Sequence, residues 1–431
     1  MKKIIKKVLL GLVFLIAIYG VGRFIDVSYG SLQFVKRQPY LVSQTQTSMA
    51  IKWQTPKSEV GKVLYGLSPD TLINVLNESE TSKKHFLTLG KLNECTQYYY
   101  KVISPSLIID NNGRHFRTLC KEKQTQRLWV IGDSGKVGAN QREVYAQLYK
   151  YIKNDYKELD MWLLLGDNAY PSGTQKQFNK KLFKPFKELV KRYTPWAVAG
   201  NHDARRWAFY DIFDFPTNAE AGGVASLHEE FYSVEDANLH LIVLDSETIS
   251  RAKDGDMAEW LRRDLRANKK PWVIVAFHTP PYSDGGHKSD SYWDSRGRLM
   301  DMRETFVPIF DEFGVDLVLS GHSHGYERSK LIINHLGKSD TFTQNNILQD
   351  RKTNYIKSAI KKKNSGTIYQ VCGSSAKLDG ATYNHPALPY SLEEMGSLII
   401  ELTPTTLTSK FLNINGKIAD EFTITKTIRK K

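Results

Sequence analysis

The pattern of apolar and polar residues divides the chain into two parts. From about residue 30 to residue 119, short segments alternate apolar and polar side chains, as in TSMAIKWQT (47–55) and QYYYKVIS (97–104). Alternation with a period of two indicates β-strands that expose one face to solvent. Gly, Pro, Asn and Ser interrupt these segments at intervals of about ten residues, which is typical of a small sandwich. We therefore predict an all-β domain over residues 30–120.

The second part, residues 125–430, alternates continuously apolar segments with helical ones. RLWVIGDSG, MWLLLGDNAY, PWVIVAFH and VDLVLSGHSH contain apolar runs without polar alternation, as expected for strands covered on both faces. After the first of them, Val144, Leu148 and Ile152 recur at the spacing of one helix face. The pattern predicts a sheet with helices packed against it, in the α/β or α+β class. Residues 331–390 show no clear period.

The first 25 residues differ from both parts. Four lysines precede an apolar run from Val8 to Gly22, the composition of a secretory signal peptide or a membrane anchor. The run has about 15 residues, whereas a spanning helix needs ~20. Ile18 and Gly20 make a poor small-x-small cleavage site, so cleavage and membrane anchoring both stay open. We expect an exported protein that is periplasmic, secreted, or anchored facing outward.

Composition and charge narrow the choice of partners. Of 431 residues, 41% are hydrophobic and 25% charged, with a formal net charge of +14. The lysines are spread out, and no helix-turn-helix, zinc-finger or RNA-binding pattern accompanies them, so we expect no nucleic-acid partner. A basic surface can attract anionic substrates or can simply be solvated. Three cysteines are too few for a disulfide-built fold; Cys95 and Cys120 could pair, or could remain separate thiols.

Polar side chains follow five of the apolar strands of the second part. On an extended backbone, the two histidines of GHSHG would point the same way because side chains alternate with period two. In open sheets of this kind, sites collect beyond the carboxyl ends of the strands. Mixed nitrogen and oxygen ligands suit zinc, manganese or iron, and six groups are more than one tetrahedral ion needs. The sequence therefore predicts a two-metal site. Its candidate ligands are Asp133, Asp167, Asn201, His278, His322 and His324.

The segments GDSG, GDNAY, GNHD, VAFH and GHSHGYER resemble, in this order, the five blocks of the calcineurin-like metallophosphoesterases. The similarity is greatest to the purple acid phosphatase branch. Most members of the superfamily have Asp-x-His in the first block, whereas this chain has Asp133-Ser134-Gly135. Tyr170 resembles the tyrosine with which the purple enzymes replace that histidine. The resemblance implies a fibronectin-III-like β-sandwich followed by a four-layer α/β/β/α metallophosphoesterase domain.

The resemblance also implies how the ligands divide between two metals. Asp167 would bridge them. Oxygen donors at the first site favour Fe³⁺, whereas two histidines and an amide at the second suit Zn²⁺, Mn²⁺ or Fe²⁺. The first metal would take Asp133, Asp167, Tyr170 and His324, and the second Asp167, Asn201, His278 and His322.

The activity implied is hydrolysis of small phosphate monoesters by attack of a metal-bound hydroxide. Departure of the alkoxide benefits from a general acid, and His202 and His287 are the candidates. Both would also contact substrate, together with Asn201 and His385. A phosphodiesterase or nucleotide hydrolase on the same metals is the first alternative. The second is an inactive surface-binding protein, although the presence of every expected ligand disfavours it. The sequence does not indicate an oligomeric state.

Overall fold

The computed structural model describes residues 2–155, 157–203, 207–360 and 362–427. The chain begins with a long helix, α1 (Lys2–Leu32). Within it, Ile5–Gly22 has a mean hydropathy of 2.0, and none of this window is buried against the protein. The helix is thus longer than the apolar run in the sequence. By length and composition it could cross a membrane, and a secretory signal sequence near the N-terminus has the same two properties.

Seven strands after α1 form two antiparallel sheets, of three strands (β1-β2-β5) and four strands (β4-β3-β6-β7). Trp53 is buried between the sheets, where its ring stacks on His85 at 4.5 Å and its Nε1 donates to Ser104 Oγ at 3.1 Å. This is the predicted sandwich. Cys95 and Cys120 pair as a disulfide, which answers the question that the sequence left open. The strands are β1 (Arg37–Val42), β2 (Met49–Glu59), β3 (Lys62–Gly66), β4 (Asn74–Asn77), β5 (Ser82–Leu89), β6 (Gln97–Ile103) and β7 (His115–Arg117).

The second domain contains the remaining strands and helices. Short 3₁₀ helices occur at Asp294–Gly297, Ser339–Thr341 and Gln344–Asn346, and π-helical turns at Asn179–Phe183 and Met302–Phe306. The strands are β8 (Gln126–Ile131), β9 (Met161–Leu164), β10 (Pro195–Ala197), β11 (Tyr232–Asp236), β12 (Leu239–Val243), β13 (Trp272–Ala276), β14 (Leu317–Ser320), β15 (Tyr326–Arg328), β16 (Leu331–Ile332), β17 (Ile347–Gln349), β18 (Asn354–Ser358), β19 (Ile368–Cys372), β20 (Tyr390–Leu392), β21 (Gly396–Leu402), β22 (Thr406–Asn413) and β23 (Ile418–Thr427). The helices are α2 (Ala139–Asp155), α3 (Gln175–Phe178), α4 (Trp207–Phe213), α5 (Asp256–Ala267), α6 (Arg298–Asp301) and α7 (Val307–Phe313).

Two seven-stranded mixed sheets face each other in this domain. The first has the order β10-β9-β8-β21-β22-β23-β18 and the second β11-β12-β13-β14-β19-β15-β20. Between them, the Tyr326 and Phe411 rings stack at 4.3 Å. Helix α2 packs on the first sheet, where Tyr145 approaches Trp129, and α5 and α7 pack on the second, where Phe310 approaches Phe277. The four-layer α/β/β/α architecture is therefore confirmed.

Buried ion pairs join the two sheets at the end opposite the strand carboxyl termini. Asp316, which precedes β14 in the second sheet, lies between Lys357 Nζ at 2.9 Å and Lys426 Nζ at 2.7 Å. Both lysines belong to the first sheet, and all three side chains are almost completely inaccessible to solvent. The carboxylate and the two ammonium groups stabilise one another in a place that water does not reach. An unpaired charge there would be strongly destabilising. These ion pairs hold the two sheets together at the end opposite the strand carboxyl termini.

We expect Asp316→Ala to destabilise the protein by about 3–5 kcal/mol, because it leaves two buried ammonium groups unpaired. The midpoint of urea unfolding, followed by tryptophan fluorescence, measures the effect. Asp350→Ala is the matched control, since Asp350 pairs with Lys330 at the surface and its side chain is 63% exposed. That substitution should cost about 1 kcal/mol or less. Equal losses in the two variants would contradict a special role for Asp316.

Candidate metal centre

The predicted ligands lie where the parallel strands of both sheets end. Asp133 follows β8, Asp167 follows β9, and Asn201 follows β10, all in the first sheet. His278 follows β13 and His322 follows β14, in the second sheet. The two sheets therefore contribute oxygen and imidazole ligands from opposite sides of one cleft. Such convergence at carboxyl ends is expected of sheets of this kind.

The backbone bends sharply at three of these positions. Asp133, Asp167 and His322 have φ values of 54°, 52° and 69°, which non-glycine residues rarely adopt. Strain of this kind is common at functional sites. The expectation that the histidines of GHSHG lie on an extended strand was wrong, because β14 ends at Ser320. His322 lies in a left-handed turn, and both rings reach the cleft, His322 beside Asn201 and His324 beside Tyr170.

One group of donors surrounds Tyr170. Its Oη donates to Asp133 Oδ1 at 2.9 Å and lies 3.2 Å from His324 Nε2. His324 Nε2 is in turn 3.3 Å from Asp133 Oδ1. All three side chains are at most 9% exposed. The structure thus brings together three of the four ligands predicted for the first metal.

A second group surrounds the amide of Asn201. Its Oδ1 lies 3.1 Å from His278 Nε2 and 3.0 Å from His322 Nδ1, and those two nitrogens are 3.3 Å apart. His278 Nε2 is also 3.5 Å from Asp167 Oδ1. One donor atom from each of Asp133, Asp167 and His278 lies within 4.8 Å of the others, close enough to hold a metal ion. Asp167 is therefore well placed to serve both groups.

Each imidazole is oriented through its other nitrogen. His278 Nδ1 is 2.7 Å from the Leu165 carbonyl, so it donates there and Nε2 is the nitrogen that faces the cleft. His324 Nδ1 contacts the Asp379 carboxylate, whose other oxygen accepts the His324 backbone N–H at 2.8 Å. His322 turns Nδ1 to the cleft and contacts Ser295 Oγ through Nε2 at 2.6 Å. Hydrogen bonds of this type fix the tautomer and direction of metal-binding histidines.

Two glycines allow the loops to approach the carboxylates. A Cβ on Gly200 would lie 2.3 Å from Asp167 Oδ1, and one on Gly321 would lie 2.6 Å from Asp133 Oδ2. Either contact would displace a donor atom, because real Cβ atoms do not come this close. The residue before Asn201 and the residue before His322 must therefore be very small. The chemistry of the donors fits a pair of metal ions.

The carboxylates and imidazoles shift one another's pKa values. Burial lowers the pKa of His278, but the Asp167 and Asp133 carboxylates outweigh it and raise that pKa to about 9. Burial also lowers the pKa of His324, but the Asp133 and Asp379 carboxylates together outweigh it and raise that pKa to about 9. Burial and the two carboxylates raise the pKa of the Tyr170 phenol far above its usual range. This negative field holds protons on its neighbours, and it equally favours metal cations.

The two candidate acids lie at the edge of the cleft. His202 contacts the Pro171 carbonyl through Nδ1 at 2.7 Å, its ring lies 4.5 Å from that of Tyr170, and its side chain is 36% exposed. His287 contacts Asp294 Oδ1 through Nδ1 at 2.8 Å, and its ring stacks on His322 at 3.8 Å. Its side chain is 31% exposed. Both rings are therefore partly exposed to solvent, and each one contacts the ring of a predicted ligand.

His385 is not brought to the cleft with the other residues. It is 4% exposed, its Nδ1 accepts the Ala387 N–H at 3.1 Å, and its ring lies 5.8 Å from that of Tyr282. Burial lowers its pKa to about 4. The structure therefore gives His385 a position in the apolar packing of the second sheet, and it offers a substrate no accessible surface there.

Several polar residues at the site could not be recognised from the sequence. Asp379, which orients His324, lies in the stretch without a clear period, where nothing marks it. Asp294 and Ser295 contact His287 and His322 from the short 3₁₀ helix Asp294–Gly297, which no pattern in the sequence marks. Asp203 accepts the N–H of Asn168 at 2.8 Å, and burial and the Asp167 charge raise its pKa to about 7. Its place in the GNHD segment was the only available signal.

Comparison with known proteins gives two family matches. Residues 126–326 match the model of the calcineurin-like phosphoesterases, and residues 37–118 match the N-terminal domain of purple acid phosphatases. Purple acid phosphatase 18 of Arabidopsis thaliana is 28% identical over 333 residues, covering 71% of this chain and 68% of that protein. A phosphoenolpyruvate phosphatase of Allium cepa is also 28% identical, covering 70% and 64%. The chain thus spans about two thirds of the length of these relatives.

A solved structure shares the fold over almost the whole chain. It is a purple acid phosphatase from seeds of yellow lupin, Lupinus luteus, with a TM-score of 0.70 and 18% identity. The match covers 92% of this chain and 76% of the lupin protein. At this identity the likeness establishes the fold, including the sandwich placed before the two-sheet domain.

We expect Asp379→Ala to lower the affinity for the metal held by His324 by roughly 10–100-fold, because the imidazole loses the partner that orients it. Elemental analysis after dialysis against a graded series of chelator concentrations measures the loss. Asn201→Ala is the comparison, since Asn201 contacts the other two histidines. The two variants should lose different metals. Loss of the same metal from both would refute the division into two groups.

Proposed function

This chain is a purple acid phosphatase-like member of the calcineurin-like phosphoesterases, a family of metal-dependent phosphatases, and on that basis we propose that it hydrolyses phosphate monoesters outside the cytoplasm. The observation that carries the proposal is the complete set of seven donor side chains in one cleft. Asp133, Tyr170 and His324 form one group. Asn201, His278 and His322 form the other, and Asp167 lies beside both.

The proposed assignment of metals follows from the donors. Purple acid phosphatases use a binuclear centre, and the residues here would hold Fe³⁺ at the first position and Zn²⁺, Mn²⁺ or Fe²⁺ at the second. When bound, the two cations would neutralise the charge of the ester and lower the pKa of a water molecule enough to make hydroxide available near neutral pH. The carboxylate of Asp167 would serve both cations and screen their mutual repulsion.

We propose that the protein's own side chains deliver a proton to the leaving group. His202 and His287 reach the cleft from opposite sides, on the rings of Tyr170 and His322. Asp294 accepts the Nδ1–H of His287, which leaves Nε2 as the atom that can face a departing alkoxide. His202 is held in the same way by the Pro171 carbonyl. We propose that one of the two protonates the leaving group while the other binds the phosphoryl oxygens.

Export is proposed from two features outside the cleft. The helix α1 has the length and composition of a signal or an anchor, and the Cys95–Cys120 disulfide fits an oxidising compartment.

Elemental analysis combined with a panel of esters tests the proposal. The purified protein should contain two metals per chain, and it should hydrolyse phosphate monoesters faster than diesters. Faster turnover of diesters would favour the phosphodiesterase alternative. A protein with both metals bound that hydrolyses neither class would refute the proposed activity.

We expect iron-loaded protein to be purple or pink, because a tyrosinate bound to Fe³⁺ gives a charge-transfer band in the visible range. Tyr170→Phe should abolish the band, and circular dichroism should show an unchanged fold. Tyr210→Phe is a control for the loss of a phenol, since Tyr210 lies on α4, outside the metal cleft. A colourless iron-loaded wild type would refute the assignment of Tyr170.

We expect His287→Ala or His202→Ala to lower kcat for an alkyl phosphate by about 10²–10⁴-fold, the usual contribution of a general acid. The loss should shrink for p-nitrophenyl phosphate, because its leaving group needs little protonation. Steady-state kinetics on both substrates, with metal content measured in parallel, separates the roles. Equal losses on both esters would indicate phosphate binding. Unchanged rates for His287→Ala would make that histidine an ordinary loop residue.

A further inference from the structure

A row of exposed lysines runs along the segment between residues 175 and 192. Lys176, Lys180, Lys184 and Lys187 are all exposed, at spacings of four, four and three residues, so they share one face of this helical segment. We call them the basic face. The opposite face is buried in the core of the first sheet, through Phe178, Leu182, Phe183, Phe186 and Leu189. The segment is therefore firmly seated and presents its cations outward.

The cations of the basic face are not neutralised by the protein. In the parts of the chain that the structure describes, Lys176, Lys180 and Lys184 have no carboxylate within ion-pair distance, and Lys187 is 3.8 Å from Glu188. Lys191, on the same segment but buried, is paired with Asp110 at 2.6 Å. Like charges at these spacings repel one another. A row of this kind lowers its energy when it meets an anionic surface.

The basic face begins where the apolar helix ends. A Cβ on Gly30, near the end of α1, would lie 2.7 Å from Thr174 Cγ2, so the backbone of α1 at Gly30 is in close contact with the Thr174 side chain. Arg37 Nη2 then donates to Gln175 Oε1 at 2.9 Å. Apolar side chains of α1 remain exposed up to this point, including Phe24, Ile25, Tyr29 and Leu32. A bilayer that receives α1 would therefore reach the start of the basic face.

A groove continues the same surface towards the sandwich. It has a volume of about 440 Å³ and lies between the basic segment and the strand β1. Lys36, Lys184 and Lys187 line it together with the apolar Phe183 and Pro39. Lysine ammonium groups beside apolar carbon are suited to lipid headgroups, because phosphates can bind the cations while chain carbons contact the apolar part.

We propose that the basic face is a docking surface for anionic phospholipid, and that it holds the second domain against the bilayer into which α1 inserts. Each lysine near an anionic membrane contributes about 1 kcal/mol to its attraction. The surface is separate from the metal cleft and takes no part in catalysis. Its occupant is the headgroup region of the bilayer.

Vesicle sedimentation with full-length protein tests the proposal. Insertion of α1 would mask a weaker contact, so the starting protein carries Leu10→Gln, Phe14→Gln and Ile18→Gln, all at exposed positions of α1. This protein should bind vesicles of phosphatidylcholine mixed with phosphatidylglycerol and should not bind phosphatidylcholine alone. Replacing the four lysines of the basic face by Gln should then lower the partition coefficient roughly 10²–10³-fold, at about 1 kcal/mol for each lysine.

A matched control removes the same charge elsewhere. Lys253, Lys269, Lys362 and Lys363 are exposed and lie outside the basic face: the first two flank helix α5, and the other two lie in the connection between β18 and β19. Their replacement by Gln should leave binding within a few-fold of the starting protein, and phosphatase activity should survive in both variants. Equal losses in the two variants would show that only net charge matters and would overturn the proposal. Binding to phosphatidylcholine that is unaffected by the lysines would do so as well.

Discussion

The mutual repulsion of Asp133 and Asp167 is the constraint on which the rest of the site depends. Both carboxylates are buried at the ends of neighbouring parallel strands, where water cannot screen them. Burial and the charge of Asp133 raise the pKa of Asp167. Positive charge must therefore lie between and around them. Imidazoles from the facing sheet meet part of this need, and a pair of metal cations would meet it fully.

The surrounding residues determine where that positive charge can lie. His278 is oriented by a backbone carbonyl of the first sheet, so its position follows from the packing of the two sheets. His324 and His322 depend on Asp379 and Ser295, which lie in segments outside the sheets. The first kind of support changes only if the fold changes. The second kind can be varied by loop sequence, which provides a way to adjust metal affinity without altering the sheets.

Charge is also unevenly distributed over the outside of the protein. The buried lysines Lys357 and Lys426 are compensated by Asp316, and many surface cations have acidic neighbours. The basic face is different, because its lysines follow one another on a single helical surface with almost no acidic residue between them. Because the basic face lies beside α1, part of the high net charge is concentrated at one place on the surface, which the composition alone does not show.

The sequence by itself determined the order of the elements, the sandwich and the ligands that end the strands. Those features depend on local patterns: a period of two, continuous apolar runs, and a polar residue directly after each run. Only the tertiary structure decided the roles of Asp379, Asp294 and Ser295, the burial of His385, and the different partners of His322 and His324. These depend on contacts between segments far apart in the chain. They also depend on a left-handed turn at His322, which the sequence does not indicate because the residue is not a glycine. Local periodicity therefore predicts which residues lie at the end of a strand. The electrostatic field and the hydrogen bonds that orient their side chains form only when segments far apart in the chain come into contact.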